Sequence, residues 1–123
     1  TVDGGRLAMH KLLAATDNGK PLSVFCANDL MALGAILAVR EAGLSCPDDV
    51  SILGFDGIPS GAFSWPGLTT IEKDGRQIGS MAVISLFEEM AGRSDHHRIY
   101  VPCRVVERGS VASLSAAKVG RVA

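Results

Sequence analysis

The sequence predicts an α/β domain in which layers of parallel sheet are flanked by helices. Short, nearly continuous apolar runs occupy residues 22–27 and 50–55, and such runs are typical of parallel strands covered on both faces. Segments with helical periodicity precede and separate these runs. Turn-forming residues such as TDNGKP (16–21) mark the boundaries. The order helix, strand, helix, strand favours parallel strands joined by right-handed crossovers.

Three helices are predicted, at residues 4–16, 29–42 and 74–91. Each contains apolar side chains at helical spacing. Asp29 and Asp74 stand directly before apolar helical patterns, where an aspartate side chain can cap the first turn. Glycines follow the second and third segments and predict their ends.

The remaining residues are predicted to be loop or extended chain. Residues 57–67 are rich in Gly, Pro and Ser and carry Phe63 and Trp65, which we expect in the core or an interface. A brief extended piece is expected at residues 68–71. The stretch 98–110 is also extended, and its proline confines it to a sheet edge or a bend.

The composition indicates one globular domain and argues against DNA binding by this segment itself. The chain has 123 residues, 47% of them apolar, and a formal net charge of −1, which provides no basic field for a nucleic-acid backbone. No apolar run approaches the roughly 20 residues that a membrane span needs. The cysteines are Cys26, Cys46 and Cys103, with no C-x-x-C pair. This usage is typical of a reducing compartment, so a cytoplasmic protein without membrane contact is expected.

Polar side chains follow both apolar strands. Asn28 comes after the first and Asp56 directly after the second. Because the carboxyl ends of parallel strands meet at one sheet edge, where α/β proteins bind ligands, both are candidate ligand contacts. An amide and a carboxylate suit the hydroxyl groups of sugars or nucleosides. The alternative is that these two side chains only tie down loops and cap turns, and the residues alone leave both interpretations open.

The helix that begins near Asp29 is apolar in every direction around its axis. A helix on one face of a sheet needs a single apolar stripe, so its outer side must also be covered. A second subunit related by a two-fold axis would cover it. A second helix of the same chain would do so equally well.

No catalytic residue, metal site or cofactor is predicted. His96 and His97 adjoin in a loop, point in different directions, and have no further ligand at suitable spacing. Ser115 and Lys118 match an S-x-x-K pattern but lack the accompanying motifs of enzymes that use it. There is no glycine-rich phosphate loop and no H-E-x-x-H.

Two longer stretches carry a family resemblance. The run VFCANDLMALGAILAVREAGLSCPDDVSILGFDGIP, followed by WPGLTTIEKD, resembles the lactose-repressor (LacI/GalR) family of bacterial transcriptional regulators. The shared motifs are A-N-D, M-A-L-G, R-E-A-G, P-x-D-V-S, G-F-D and P-x-L-T-T-I, in order and with natural spacing. The resemblance extends over residues 1–112.

The resemblance implies a type I periplasmic-binding-protein-like fold. In this fold two α/β subdomains are joined by three crossovers, and an effector binds in the cleft between them. Residues 1–112 are expected to correspond to the C-terminal portion of the effector-binding core, and residues 113–123 are expected to form a weakly ordered tail. Residues 74–97 are expected to pack on an N-terminal subdomain absent from this chain, which would leave the apolar stripe of its helix bare.

The resemblance also assigns roles to individual residues. Asn28 and Asp56 match effector-contacting positions. Lys73 falls where many members carry a glutamine, so its ammonium is expected either to meet an anionic effector or to point to solvent. Gly57 and Gly75 replace larger side chains, which predicts a roomier pocket.

The implied function is that of a sensor rather than an enzyme. A small, sugar-like effector would control DNA binding allosterically, and operator DNA would contact only an N-terminal headpiece absent from this chain. Leu33 and Leu37 are predicted to lie in the homodimer seam. The alternative is a periplasmic-type sugar-binding protein of a transport system, which shares the fold. An enzyme on the same fold is disfavoured because no activated nucleophile or acid–base pair is evident.

Overall fold

The computed structural model describes residues 1–16, 22–93 and 98–113. Part of the predicted turn at 16–21, the adjacent histidines His96 and His97, the S-x-x-K motif and most of the predicted tail lie outside these residues. In the described part of the chain, no helix is both long and apolar enough to cross a membrane.

The described residues form three α-helices and four strands in a mixed order, which confirms the predicted α/β class. In order they are α1 (Val2–Ala15), β1 (Leu22–Phe25), α2 (Asp29–Glu41), β2 (Val50–Asp56), β3 (Thr69–Lys73), α3 (Gly75–Met90) and β4 (Cys103–Val106), with a short 3-10 helix at Pro59–Phe63 between β2 and β3. The predicted loop at 57–67 therefore contains a helical turn.

The sheet has the order β1-β2-β3-β4. The first three strands are parallel, and β4 runs antiparallel to β3. Phe25 pairs with Leu53, and Asp56 pairs with Glu72. The carboxyl ends of β1, β2 and β3 therefore share one edge of the sheet, as the parallel topology requires.

Helix α2 is covered on its inner side by the sheet and on part of its outer side by α1. A side chain at Gly34 would collide with the Val2 carbonyl oxygen, and one at Gly5 would collide with the Met31 backbone. The two helices thus meet backbone to backbone, which only residues without a Cβ permit. Within the chain, then, a second helix covers α2, although Leu37 is still 39% exposed.

The opposite face of the sheet is open among the described residues. Phe25 and Val105 are about 60% exposed, and with Leu53 and Val111 they line an apolar concavity of about 380 Å³. The expectation that the strands are covered on both faces is therefore wrong for this part of the chain. Helix α2 packs on the other face of the sheet, and α1 packs on α2.

Helix α3 is capped as predicted but buries no residue. The Asp74 carboxylate accepts a hydrogen bond from the Gln77 N–H at 2.9 Å. The helix exposes six large apolar side chains: Ile78, Val83, Ile84, Leu86, Phe87 and Met90. Its apolar surface is wider than the single stripe predicted, because Val83, Ile84 and Phe87 extend it around the axis.

Candidate functional site

The first predicted contact residue, Asn28, is the N-cap of α2. Its backbone is extended, and its Oδ1 accepts a hydrogen bond from the Met31 N–H at 2.9 Å. The prediction that Asp29 caps this helix is therefore wrong. Asp29 is the first helical residue, and its side chain has other partners. Asn28 thus caps a helix, which is one of the two roles considered for it from the sequence. Its amide nitrogen has no hydrogen-bond partner among the described residues.

Asp29 is fully buried and ties three elements together. One carboxylate oxygen accepts a hydrogen bond from the Thr70 hydroxyl of β3 at 2.6 Å. The other accepts from the Ile58 N–H, just past β2, at 2.8 Å. No cation pairs with this carboxylate within the described residues. Sequence reasoning missed this role, although the polar pair directly before an apolar helix was a signal.

Asp56 ends β2 in an unusual backbone conformation. Its φ is 123° and that of Gly57 is 77°, so two consecutive residues with positive φ turn the chain sharply at the sheet edge. A side chain at Gly57 would collide with Glu72. The space left by Gly57 is therefore filled by Glu72, and the pocket is not roomier there. A side chain at Gly75, by contrast, would meet no atom within 4 Å.

Lys73 pairs with Asp56. The distance from its Nζ to Asp56 Oδ1 is 2.7 Å, and the side chains are 40% and 29% exposed. The ammonium also lies 5.8 Å from the centroid of the Phe55 ring, a position that favours a cation. Lys73 is therefore engaged by a carboxylate of its own chain, an arrangement that neither of its two predicted roles included.

A second ion pair lies on the same edge. Arg104 of β4 binds the Glu72 carboxylate through Nε, and the two residues are directly opposed in the antiparallel register. Together with Lys73, Asp74 and Gly75 they line a concavity of about 530 Å³. Arg104 was not predicted as a site residue, because its position depends on pairing between distant strands.

The three predicted contact residues thus lie at or just beyond the carboxyl ends of consecutive parallel strands. Asn28 follows β1, Asp56 ends β2 and Lys73 ends β3. Asp56 and Lys73 form an ion pair, and Asn28 is held in place by the hydrogen bond with which it caps α2. The edge presents an amide, a carboxylate and an ammonium, which offer hydrogen-bond donors and acceptors to a polar ligand.

Two of the cysteines, Cys26 and Cys46, have thiols whose pKa is raised by burial rather than lowered. Burial raises the pKa of the Cys46 thiol to about 11 and also raises the pKa of Cys26, so both hold their protons at neutral pH. Among the described residues, no group of three histidine, cysteine, aspartate or glutamate side chains could hold a metal ion.

The predicted dimer residues lie on α2. Leu33 is half-buried and Leu37 is exposed. Arg40, near the end of the helix, donates a hydrogen bond to the Trp65 carbonyl oxygen at 2.6 Å. Trp65 and Phe63 are 84% and 88% exposed. The outer side of α2 therefore borders a loop with two exposed aromatic side chains.

The α/β fold, with polar side chains at the carboxyl ends of its parallel strands, is that of the periplasmic binding protein-like domain family. The family model matches residues 1–111, nearly the whole chain, so the chain belongs to this family.

Within the family, the chain is similar to transcriptional repressors. It is 38% identical over 107 residues to the HTH-type transcriptional repressor PurR of Aliivibrio fischeri, covering 86% of this chain and 32% of that protein. It is 40% identical over 111 residues to PurR of Pectobacterium carotovorum subsp. carotovorum, covering 89% and 32%. The chain therefore spans about a third of the length of these curated relatives.

Solved structures that resemble this chain are also those of transcriptional regulators. A crystal structure of the Lac repressor dimer bound to operator and the anti-inducer ONPF matches with a TM-score of 0.82 and 29% identity, over 92% of this chain and 39% of that one. A LacI-type transcription regulator from Bifidobacterium animalis subsp. lactis matches with a TM-score of 0.78 and 32% identity, over 92% and 40%. These relatives are regulators rather than enzymes, in agreement with the resemblance found in the sequence.

Proposed function

We propose that this chain is the effector-sensing and dimerisation part of a cytoplasmic LacI-type transcriptional regulator without catalytic activity. The observation that carries the proposal is the placement of Asn28, Asp56 and Lys73 at the carboxyl ends of three successive parallel strands. In open α/β sheets this is the edge where ligands bind. The similarity to PurR and Lac repressor indicates regulation as the use of that binding.

The proposed effector is a small, sugar-like molecule that contacts Asn28, Asp56 and Lys73. The edge combines the carboxylate acceptors of Asp56 with the amide nitrogen of Asn28 and the ammonium donors of Lys73. Hydroxyl groups both donate and accept, so they can satisfy such a mixed set. The side chain missing at Gly75 leaves room beside the Lys73 end of the edge.

The effector would be sandwiched between this part and a second subdomain. The support is α3, whose six exposed apolar side chains would be costly to leave in water. We propose that residues 74–97 pack on that subdomain. Effector binding would then favour one arrangement of the two subdomains, by no more than its difference in affinity for the two arrangements.

DNA binding is assigned to a separate N-terminal headpiece. The chain has a net charge of −1, so it lacks the positive field on which protein–DNA affinity depends. Repression or induction would reach the headpieces through the dimer. A transport component shares the fold, but the similarity to repressors in both sequence and structure favours the regulator.

A thermal-shift experiment on the full-length protein tests the effector site. A panel of sugars, sugar phosphates and nucleosides is screened, and the most stabilising compound is tested with Asp56→Ala. Loss of a hydrogen bond from a buried ligand group weakens binding by about 1–3 kcal/mol, so the shift in Tm should largely disappear. Asp48→Ala is the matched control, because Asp48 is an exposed aspartate before the opposite end of the same strand. A full shift with Asp56→Ala would contradict the proposed site.

The dimer is tested by light scattering. Leu37→Glu places a charge on the outer side of α2, and is expected to convert a dimer to a monomer because an unpaired charge is costly in an apolar interface. Tyr100→Glu is the control, since Tyr100 is 82% exposed and precedes β4 at the far edge of the sheet. An intact dimer with Leu37→Glu would show that the interface lies elsewhere.

A further inference from the structure

Two cations of the described residues lie at the candidate effector edge in ion pairs, and each is paired with a carboxylate of the same chain. Lys73 Nζ lies 2.7 Å from Asp56 Oδ1. Arg104 Nε binds the Glu72 carboxylate. The four charges of these two pairs sum to zero, and Asp74 adds a further carboxylate to the lining of the same concavity. Neither of the two cations is therefore left without a counter-ion at the edge.

We propose that Lys73 is the internal counter-ion of Asp56 and thereby sets the specificity of the site for an uncharged, polyhydroxylated ligand over its anionic or cationic analogues. The inference rests on the proposed function, in which Asp56 contacts the effector. It assigns Lys73 the role of a positioning and specificity residue. The Lys73 ammonium orients the Asp56 carboxylate and balances its charge. In this role Lys73 is not a binding group for the phosphate of a ligand.

The contacts of the pair support this role. Lys73 is held from two sides, by the Asp56 carboxylate and by the face of the Phe55 ring 5.8 Å away. Asp56 is fixed by its backbone, because the positive φ values of Asp56 and Gly57 allow few alternatives at the strand end. Two side chains held in this way form one unit with a defined geometry.

The unit discriminates by charge and by hydrogen-bonding type. Asp56 keeps a second oxygen as an acceptor, and the Lys73 ammonium keeps two of its three N–H donors beyond the ion pair. A hydroxyl group can donate to the first and accept from the second. A phosphate would be attracted by Lys73 but repelled by Asp56, and an amine would be attracted by Asp56 but repelled by Lys73. A charged ligand therefore gains little net attraction from the pair to offset the cost of removing it from water.

Isothermal titration calorimetry on the full-length protein tests the inference. The probes are glucose, galactose and ribose, the phosphate esters of these sugars, and glucosamine and galactosamine. One neutral sugar is expected to bind at least about tenfold more tightly than its phosphate ester or its amino analogue, a difference of about 1.4 kcal/mol.

The variant Lys73→Met removes the ammonium and leaves the Asp56 charge without its partner. It is expected to raise the affinity ratio of amino sugar to neutral sugar at least about fivefold, because a ligand ammonium can replace that of Lys73. A purely structural role for Lys73 would weaken all ligands equally and leave this ratio unchanged. Arg6→Met is the matched control, since Arg6 pairs with Glu41 at the end of α2 opposite to Asn28, and its loss leaves Asp56 paired. Its affinity ratio should stay within about twofold of wild type. If Lys73→Met does not fold, Lys73→Gln replaces it with the same expected direction.

Two results separate the inference from the proposed function. Preferred binding of a sugar phosphate that Lys73→Met abolishes would overturn the inference and leave the effector site standing. An unchanged ratio in the Lys73 variants would likewise overturn the inference alone. If none of the probes binds, or if Asp56→Asn leaves binding of every probe unaltered, the proposed site itself is contradicted and the inference falls with it.

Discussion

Replacing Asp29 by alanine is expected to destabilise the fold by a large fraction of its total stability. The carboxylate accepts hydrogen bonds from the Thr70 hydroxyl at 2.6 Å and from the Ile58 N–H at 2.8 Å, and the residue is fully buried. A hydrogen bond to a charged group contributes about 1.5–3 kcal/mol, so loss of both costs about 3–6 kcal/mol. A domain of this size has a free energy of unfolding of about 5–15 kcal/mol. Urea unfolding followed by circular dichroism measures the change.

A double-mutant cycle isolates the contact. Thr70→Val alone should cost about 1–3 kcal/mol, because it leaves a carboxylate oxygen of Asp29 without its donor. In the Asp29→Ala background the same change should cost at least about 1 kcal/mol less. Asp74→Ala is the control, since Asp74 is an exposed N-cap, and caps contribute about 1 kcal/mol. Two results would contradict the conclusion that Asp29 connects α2 with Thr70 and Ile58. One is that the effects of Asp29→Ala and Thr70→Val on the free energy of unfolding are additive. The other is that Asp29→Ala lowers this free energy no more than Asp74→Ala does.

Three further predictions, which use four substitutions, test other parts of the structure. Gly57→Ala should lower the free energy of unfolding in urea by about 1–3 kcal/mol, because its Cβ would collide with Glu72 and because the backbone has a positive φ at this position. Gly75→Ala should be neutral or slightly stabilising, since nothing lies near its Cβ. Equal effects of the two substitutions would contradict this argument. Gly34→Ala should cost about 1–3 kcal/mol or more by forcing α1 away from α2, and a neutral result would contradict the close crossing. The Glu41 carboxylate accepts hydrogen bonds from Arg6 and, to a smaller extent, His10, and these bonds lower the pKa of Glu41. The stabilisation from this carboxylate is therefore present above the ordinary pKa of a glutamate and is lost as the pH falls through the folded-state pKa. The difference in Tm between wild type and Glu41→Gln should shrink in acid, and a difference that does not change with pH would contradict this prediction.

The order of elements was predictable because both apolar runs are nearly continuous, and turn-forming residues or glycines mark where the helices end. These signals are local, and the tertiary structure agrees with them. The identity of the cap on α2 was not predictable in the same way. Asn28 and Asp29 are both good caps, and what separates them is that Thr70 and Ile58 provide donors for Asp29. Those partners lie 41 and 29 residues away, and their approach depends on strand register.

Strand register also explains why the ion pairs were missed. The sequence pattern placed Asn28 and Asp56 at one edge, and only the family resemblance brought in Lys73. The contact of Asp56 with Lys73 requires β2 and β3 to pair with Asp56 opposite Glu72. Likewise Arg104 becomes a site residue only because β4 reverses direction and aligns it with Glu72. A shift of one residue would place these side chains on the other face of the sheet. Charge pairs across strands are therefore consequences of topology that local patterns do not contain.

The two interpretations of the strand-end residues, capping and ligand binding, are compatible in this structure. The bond from the Met31 N–H to Asn28 Oδ1 uses only the oxygen of the amide, and it fixes the direction in which the nitrogen points. The ion pair with Lys73 engages one oxygen of Asp56 and restricts the rotamer of its carboxylate. Side chains already ordered by their own fold lose less conformational entropy when a ligand binds, so a contact made with them retains more of its favourable free energy. The internal bonds that favour a structural role for Asn28 and Asp56 are thus the same bonds that would preorganise the two residues to hold an effector.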